Sequence, residues 1–382
     1  MPTNNKKLLS ADEVNNISAP LDSAFTLPPH SYTNNEIYHV EQEKIFRTSW
    51  IPIGRVEQLP EVGSFIAADL LGQPIIIVRG TDQHIRVLAN ICLHRAAKLV
   101  GGEGKQLKFT CPYHAWSYDT KGQLVAAPMM AEVKNFETQN CKLPEIRSES
   151  WEGFILANLD NSADDFLPQV EGLSQHFAQY QLADHAIQRT LEFDCNWNWK
   201  VLVENFMEAY HHIGTHSTTL QPRLPARNSK VPDNDGPWSI LEMPAKITEE
   251  AEAGHGSLMP VAGLQEEDLG TLWANVAFPF LTFAVQSNMM IWYQIIPNRV
   301  DNFHLKIHIC IHKNNLNIPQ LQEELDASEK LITFVHMEDI GANDQVWSGL
   351  NAPLTTQGRL SSFEKAIWQM NQWWLSKMGL AE

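Results

Sequence analysis

Two short segments each pair a cysteine with a histidine: Cys92-Leu-His94 and Cys111-Pro-Tyr-His114, with sixteen residues between His94 and Cys111. Thiolate and imidazole both bind metals, so the two pairs offer two sulfurs and two nitrogens. A tetrahedral zinc accepts that set, although zinc spacings commonly pair cysteine with cysteine and histidine with histidine. One Cys and one His from each loop suit a [2Fe–2S] cluster in which one iron takes two thiolates and the other two imidazoles. The mixed pairing favours the cluster, with structural zinc as the alternative. The intervening Gly101-Gly-Glu-Gly-Lys105 lacks the following Ser/Thr and the strand–loop–helix context of a phosphate loop, and reads as a turn.

A second constellation lies in NWNWKVLVENFMEAYHHIGTH. Helical periodicity over about 196–213 puts Trp199, Leu202, Phe206, Tyr210 and Ile213 on one side, with Glu204, Glu208 and His211 on the other. Alone, that polar face would be solvated. His216 changes the reading, because it stands just past Gly214, where the helix should loosen and let both imidazoles reach one metal. Two histidines need a carboxylate to complete the facial triad of a non-haem Fe(II) oxygenase. In TFVHMEDIGANDQVWSGL, Asp339 sits within the apolar stripe Ile332, Val335, Ala342, Val346 and Leu350, where a buried carboxylate demands a partner. Asp344, on the weaker stripe of Met337, Ile340 and Trp347, is the rival. Periodicity favours Asp339 and leaves Asp344 open.

The elements that must carry these residues are legible as patterns. A polar, proline-punctuated stretch occupies 1–48, expected to pack on the catalytic domain. Short β-runs with turn signals between them fill 49–160 (QPIIIVRG, HIRVLANIC, LKFTCPYHAWSY, GQLVAAP, GFILANLD) and read as an all-β domain. Residues 161–382 form an α+β domain. Within it, HLKIHICIH alternates as a half-buried strand, and a strong helical stretch follows from about Pro319 to Leu350. His304, His308 and His312 share one strand face, but steps of roughly 13 Å at ~3.3 Å per residue are too long for one metal ion.

With these residues assembled, the chain resembles the α subunits of Rieske-type ring-hydroxylating oxygenases. The match runs through Cys92-x-His94 and Cys111-x-x-His114, Arg95, Ala115-Trp116, SWIPIGRVEQLP and WEGFILANLD, and covers roughly Phe46 to Leu350. Glu208-x-x-His211-x₄-His216 matches the family's iron motif. Its carboxylate ligand falls in a late Glu-Asp pair upstream of Gly-Leu, here Glu338-Asp339 and Gly349-Leu350. His212 is out of register and is expected to be structural or supporting. Many members have Asp where Glu208 stands; Glu is closer to the branch with carnitine and choline/betaine monooxygenases.

The resemblance implies a Rieske [2Fe–2S] cluster on Cys92, His94, Cys111 and His114, and a mononuclear Fe(II) on His211, His216 and Asp339. It also implies a helix-flanked antiparallel (helix-grip-like) catalytic sheet and a homotrimer packed head to tail. In that trimer Glu208 would bridge His211 and a neighbour's His114, linking one chain's iron to the next chain's cluster.

Composition bounds the function. With 28 Lys+Arg against 45 Asp+Glu, the net charge is −17, which argues against nucleic acid or an anionic membrane as partner. The longest apolar stretch, Trp273–Val285, is short and interrupted by Asn275, Pro279 and Thr282, so no transmembrane helix is expected. The opening MPTNNKKLLSADEVNN has no signal-peptide pattern, and five cysteines make no disulfide framework; the expectation is a cytoplasmic protein. No Rossmann glycine fingerprint or second cysteine cluster is present, implying a separate NAD(P)H-dependent flavin/iron–sulfur reductase or a ferredoxin.

The expected function is a terminal oxygenase that hydroxylates or oxidatively demethylates a small organic substrate with O2. A stand-alone Rieske electron carrier would leave His211, His216 and Asp339 without a role. A zinc hydrolase with a structural zinc at the Cys-His pairs is the other rival. Trp273, Phe278, Phe280, Phe283, Trp292 and Tyr293 are candidates for a hydrophobic pocket or an ammonium cage. Arg223, Arg227, Arg299 and Arg359 are candidates to hold a substrate carboxylate. Quaternary amines, small carboxylates and aromatic acids all stay open.

Overall fold

The hairpins of the N-terminal β-region follow from local backbone chemistry. In this computed structural model, which describes residues 8–246 and 257–381, the chain divides into two compact units. One is Arg47–Asp164; the other combines Met1–Phe46 with Asp165–Glu382. Within Arg47–Asp164 the strands are β1 (Ile51–Arg55), β2 (Ser64–Leu70), β3 (Gln73–Arg79), β4 (Ile85–Ala89), β5 (Glu103–Lys105), β6 (Lys108–Thr110), β7 (Ser117–Asp119), β8 (Leu124–Ala126), β9 (Glu145–Trp151) and β10 (Phe154–Asn158). Leu71-Gly72 and Glu152-Gly153 have positive φ at both positions, which makes two-residue hairpin turns matched to strand twist. These turns set the registers Leu70↔Gln73 and Trp151↔Phe154.

A seven-stranded sheet runs in the order β1-β10-β9-β4-β3-β2-β5, and β6-β7-β8 form a second, three-stranded sheet. The apolar run Ile75-Ile-Ile-Val78 of β3 is fully buried at the centre of the larger sheet. One core group joins Phe65, Ile76, Val78 and Leu88 of the large sheet to Phe109, Tyr118 and Leu124 of the small one, with Cys92 and Cys111 at its edge.

The second unit is built on a six-stranded antiparallel sheet in the order β11-β16-β15-β14-β13-β12. Its strands are β11 (His185–Cys195), β12 (Trp238–Pro244), β13 (Thr271–Ala277), β14 (Leu281–Val285), β15 (Met289–Arg299) and β16 (Asn302–His312). The long helix Leu321–Leu350 packs on β11 and β16, and the closing helix Lys365–Met378 packs on β12. Alternation in β16 holds for its first half; from Ile307 to His312 every residue is buried, because both faces are covered there. Among the described residues no helix is long and apolar enough to cross a membrane.

The helix expected over 196–213 is shorter, Trp199–Phe206. Asn198 caps its start, accepting the Lys200 N–H at 3.1 Å. It ends because the Glu208 carboxylate accepts the His211 backbone N–H at 2.9 Å, a local bond that replaces a helical one. Tyr210–Ile213 therefore forms a separate 3₁₀ turn, and Tyr210 and Ile213, expected on the core face, are exposed.

Glu204 is also not solvated as the helical pattern implied. It is half-buried and accepts the Tyr32 hydroxyl at 2.6 Å. Beside it, the fully buried Glu41 accepts Lys200 Nζ at 2.6 Å, Trp374 Nε1 at 2.7 Å and Trp199 Nε1 at 3.2 Å. The N-terminal residues thus clamp the helix that leads to His211.

Two stability outcomes follow from these buried charges. Lys200→Met strands the Glu41 carboxylate and should cost roughly 3–5 kcal/mol in chemical denaturation. Burial raises the Glu204 carboxyl from 4.5 to about 7, against the opposing pull of Tyr32 and Lys200. The folded chain therefore keeps a proton that the unfolded chain releases, and stability falls as pH rises from about 4.5 to 7. Glu204→Gln keeps the acceptor for Tyr32 and removes this loss. Its stability relative to wild type should improve by about 3 kcal/mol between pH 5 and pH 8, and parallel pH profiles for the two proteins would refute the assignment.

Candidate active site and metal centres

The two cysteine–histidine loops are near copies of one another. In the first, Cys92 N–H donates to the Ala97 carbonyl at 2.8 Å and Ala96 N–H to the Cys92 carbonyl at 2.9 Å. In the second, Cys111 N–H donates to the Trp116 carbonyl at 2.7 Å and Ala115 N–H to the Cys111 carbonyl at 3.0 Å. Each turns through a left-handed alanine, Ala96 (φ 56°) and Ala115 (φ 57°), a conformation that strains any residue with a Cβ.

Both loops direct sulfur inward and imidazole outward: Cys92 and Cys111 are 3% exposed, whereas His94 and His114 lie at the surface. The two histidine Nδ1 atoms approach to 3.1 Å. That spacing fits two nitrogens on one metal at about 2.1 Å each. Trp116 stacks on His94 with centroids 4.9 Å apart. Leu93 N–H donates to the Tyr118 oxygen at 3.0 Å, and the phenol group also hydrogen-bonds with Cys92 Sγ at 3.4 Å, donating its O–H when the sulfur is a thiolate. Tyr118 carries no sequence signal beyond being an aromatic residue in a strand.

In the other unit, His211, His216 and Asp339 bring one ligand atom each to within 4.8 Å of one another. Asp339 Oδ1 stands 2.9 Å from His216 Nε2 and 3.6 Å from His211 Nε2, and accepts Asn205 Nδ2 at 3.2 Å. Burial would push the Asp339 carboxyl up, but the hydrogen bond from His216, both imidazoles and Asn205 hold it below its ordinary value. Burial likewise opposes charge on His216, and Asp339 and Glu338 outweigh it and raise the imidazole. A site that draws positive charge this strongly, on two imidazoles and a carboxylate, fits a divalent cation.

The outer ring nitrogens are anchored as well. His211 Nδ1 pairs with Glu208 Oε1 at 2.6 Å, and His216 Nδ1 with Glu338 Oε2 at 2.8 Å. Thr219 Oγ1 donates to the same Glu338 oxygen at 2.7 Å. Carboxylates behind imidazoles fix the tautomer and free Nε2 for a metal. Asn205, Thr219 and this role of Glu338 went unseen in the sequence, since small polar side chains give no periodic signal.

Asp344 is exposed and does not join the group. The apolar stripe that favoured Asp339 is only partly buried: Ile332 is in the core, while Val346 is 48% exposed. His212 is held apart, its Nδ1 donating to the Leu224 carbonyl at 2.9 Å, and burial lowers it to about 4. His304 pairs with Asp194 and Glu192, and His308 with Thr190 and Gln294.

The triad opens on a cavity of about 150 Å³ with mainly apolar walls, including Leu202, Leu272 and Val335. Of the six aromatics proposed from sequence, Tyr293 alone lines it. Trp292 stacks on His308, Trp273 packs on His176, Phe283 on Phe177, Phe280 between Phe46 and Trp199, and Phe278 on Trp373. Period-2 patterning gives a strand's two faces but not which face meets the cavity. Phe206 lies beside Tyr293 with centroids 4.8 Å apart, so two rings form one corner of the cavity. Arg299 pairs with Asp301, and Arg359 lies over Phe25.

Known proteins resemble both halves. Residues 49–137 match the family model described as Rieske [2Fe-2S] domain, and residues 182–380 that of the ring hydroxylating alpha subunit (catalytic domain). The carnitine monooxygenase oxygenase subunit of Escherichia coli (strain K12) is 33% identical over 199 residues, 51% of this chain and 53% of that one. The glycine betaine monooxygenase oxygenase subunit of Pseudomonas aeruginosa (strain PAO1) is 29% identical over 207 residues, 53% of this chain and 47% of that one. The chain therefore spans about half the length of the curated relatives it matches. In fold, it is like a quaternary ammonium Rieske monooxygenase bound to L-carnitine, with TM-score 0.78, 24% identity, and coverage of 97% and 99% of the two chains. A naphthalene 1,2-dioxygenase from Rhodococcus sp. gives TM-score 0.78 at 18% identity, covering 97% of each chain.

Two variants test the geometry. Asp339→Ala should lose mononuclear iron while keeping the red-brown cluster spectrum, and Asp344→Ala should keep both; the opposite pattern by iron analysis would move the ligand to Asp344. Tyr118→Phe removes the contact with Cys92 Sγ and, if that sulfur binds the cluster, should lower the cluster's reduction potential in a redox titration.

Proposed function

We propose, for a chain that belongs to the ring-hydroxylating α-subunit family and carries a Rieske [2Fe–2S] domain ahead of its catalytic domain, the role of terminal oxygenase in a system with a separate reductase. The observation that carries this reading is the convergence of His211, His216 and Asp339 on the wall of an apolar cavity. In it, Cys92, Cys111, His94 and His114 hold the cluster, and His211, His216 and Asp339 hold the mononuclear iron. When bound, these groups supply one-electron transfer and activation of O2. Three protein ligands are the set that leaves further metal positions for O2.

The chain's own residues perform the rest. Glu338 and Glu208 orient the two imidazoles, while the apolar wall admits the substrate's oxidised end and excludes bulk water. The substrate class is a small quaternary ammonium compound rather than an aromatic ring. In favour are Glu208, the carnitine and glycine betaine that the relatives are named for, and the Phe206–Tyr293 corner, whose ring faces attract an onium group.

The assembly in this reading is a homotrimer in which one chain's cluster faces the next chain's iron. Exposed apolar residues stand at both faces: Leu93 and Tyr113 in the cluster loops, Tyr210 and Ile213 on the turn of His211. Glu208 then spans the contact: Oε1 holds the His211 ring and Oε2 its backbone N–H, and the carboxylate's remaining lone pairs accept a neighbour's His114.

Reconstituted protein should carry about three iron per chain, be red-brown, and consume O2 with trimethylammonium compounds when a surrogate reductase is present. Colourless zinc protein, or a cluster without mononuclear iron, would end the reading. For Glu208→Gln, both centres should load and the reductase should still reduce the cluster. Cluster reoxidation in a stopped-flow single turnover should slow severely, and wild-type reoxidation and product yield would make Glu208 a helix-end cap and nothing more.

A further inference from the structure

The metal-side cavity adjoins a second chamber of about 210 Å³. Leu220, Leu272, Gln286, Ile291, Leu331 and Ile332 line both, so the two chambers adjoin across these six side chains. Their chemistry differs. The inner chamber has mainly apolar walls, whereas the outer one, among the described residues, is lined by two charged side chains, Arg223 and Glu324.

Glu324 is engaged, its Oε1 accepting both the N–H and the hydroxyl of Ser257. Arg223 has no ion pair or side-chain hydrogen bond among the described residues, in a chain where 45 acidic residues outnumber 28 basic ones. Its backbone is nonetheless fixed. Arg223 N–H donates to the Leu220 carbonyl at 3.0 Å, and the next residue's carbonyl holds His212 at 2.9 Å. The same run of chain begins at His216, whose carbonyl accepts the N–H groups of Thr219 and Gln221. Gln286 stands where the two chambers meet, its backbone set by a 2.9 Å bond to the Met289 carbonyl.

We infer that the outer chamber is a carboxylate subsite. The Arg223 guanidinium, a planar fork matched to carboxylate geometry, and the Gln286 amide hold the anionic end of an elongated substrate. Its other end reaches the His211–His216–Asp339 group past the side chains that line both chambers. The inference rests on the oxygenase reading only in taking that inner end as the one oxidised. It makes Arg223 the residue that separates onium carboxylates from onium alcohols of similar size.

The test is calorimetric binding to iron-loaded full-length protein, with γ-butyrobetaine and its primary carboxamide as probes, alike in size and onium end. Wild type should bind the carboxylate at least about tenfold more tightly than the amide, as expected for hydrogen bonds to a charged group. Arg223→Gln should abolish the preference while amide affinity stays within about twofold, and Arg223→Lys should keep part of it. Equal binding of the two probes by wild type, binding of neither, or an intact preference in Arg223→Gln would each overturn the subsite. Iron content, colour and O2 uptake of the same preparations report the oxygenase reading separately. A failure there with an Arg223-dependent preference would leave the subsite standing.

Discussion

Both ring nitrogens of His216 are held by neighbouring carboxylates on one helix, Glu338 at Nδ1 and Asp339 at Nε2. This double grip joins an irregular loop to the long helix Leu321–Leu350 across more than a hundred residues of sequence. An imidazole 1% exposed could not be fixed there by packing alone, since each buried nitrogen needs a partner. The cavity exists because the loop and helix meet at this point, with Leu220 on one side and Leu331 and Ile332 on the other. Two acids beside one imidazole also concentrate negative charge, which favours positive charge at this point.

The second histidine depends on a different device. A continuous helix from 199 to 213 would carry His211 wherever the helical repeat put it. Instead Glu208 takes both the backbone N–H and the ring Nδ1 of His211, ending the helix and setting the ring in one step. The helix before it is clamped by Glu41 and Tyr32 from the N-terminal residues, so the break occurs against a rigid base. Polar interactions that look expensive in isolation, a buried Lys200–Glu41 pair and the half-buried Glu204, fix the base from which the turn of His211 departs.

Residues whose chemistry is local were the legible ones. Cys92, His94, Cys111 and His114 stand out because a mixed-ligand cluster needs those types within a few residues of each other. The two larger sheets were visible as alternation and buried runs, and β3 and β10 coincide with the strongest of them. What period could not supply was context. The helical wheel assigned Tyr210 and Ile213 to the core and Glu204 to solvent, because it assumed a helix that a side-chain hydrogen bond interrupts. The aromatic set from β13 to β15 was assigned collectively, although tertiary packing gives most of those rings to Phe177, His308 or Trp199 rather than to the cavity. Asn205, Thr219 and Tyr118 act through single hydrogen bonds, which leave no trace in composition or spacing.

The inward-sulfur, outward-imidazole arrangement of the two loops has a consequence for chemical durability. Oxygen-activating proteins leak peroxide and superoxide when turnover uncouples, and cysteine damage follows thiolate character and exposure. Cys92, Cys111, Cys195 and Cys310 are all buried, and burial pushes the Cys195 thiol up to about 12, away from its reactive form. Cys141 is the half-exposed exception, packed against the same core group as Cys92 and Cys111. Of the five sulfurs, that of Cys141 is therefore the most accessible to an oxidant arriving from solution.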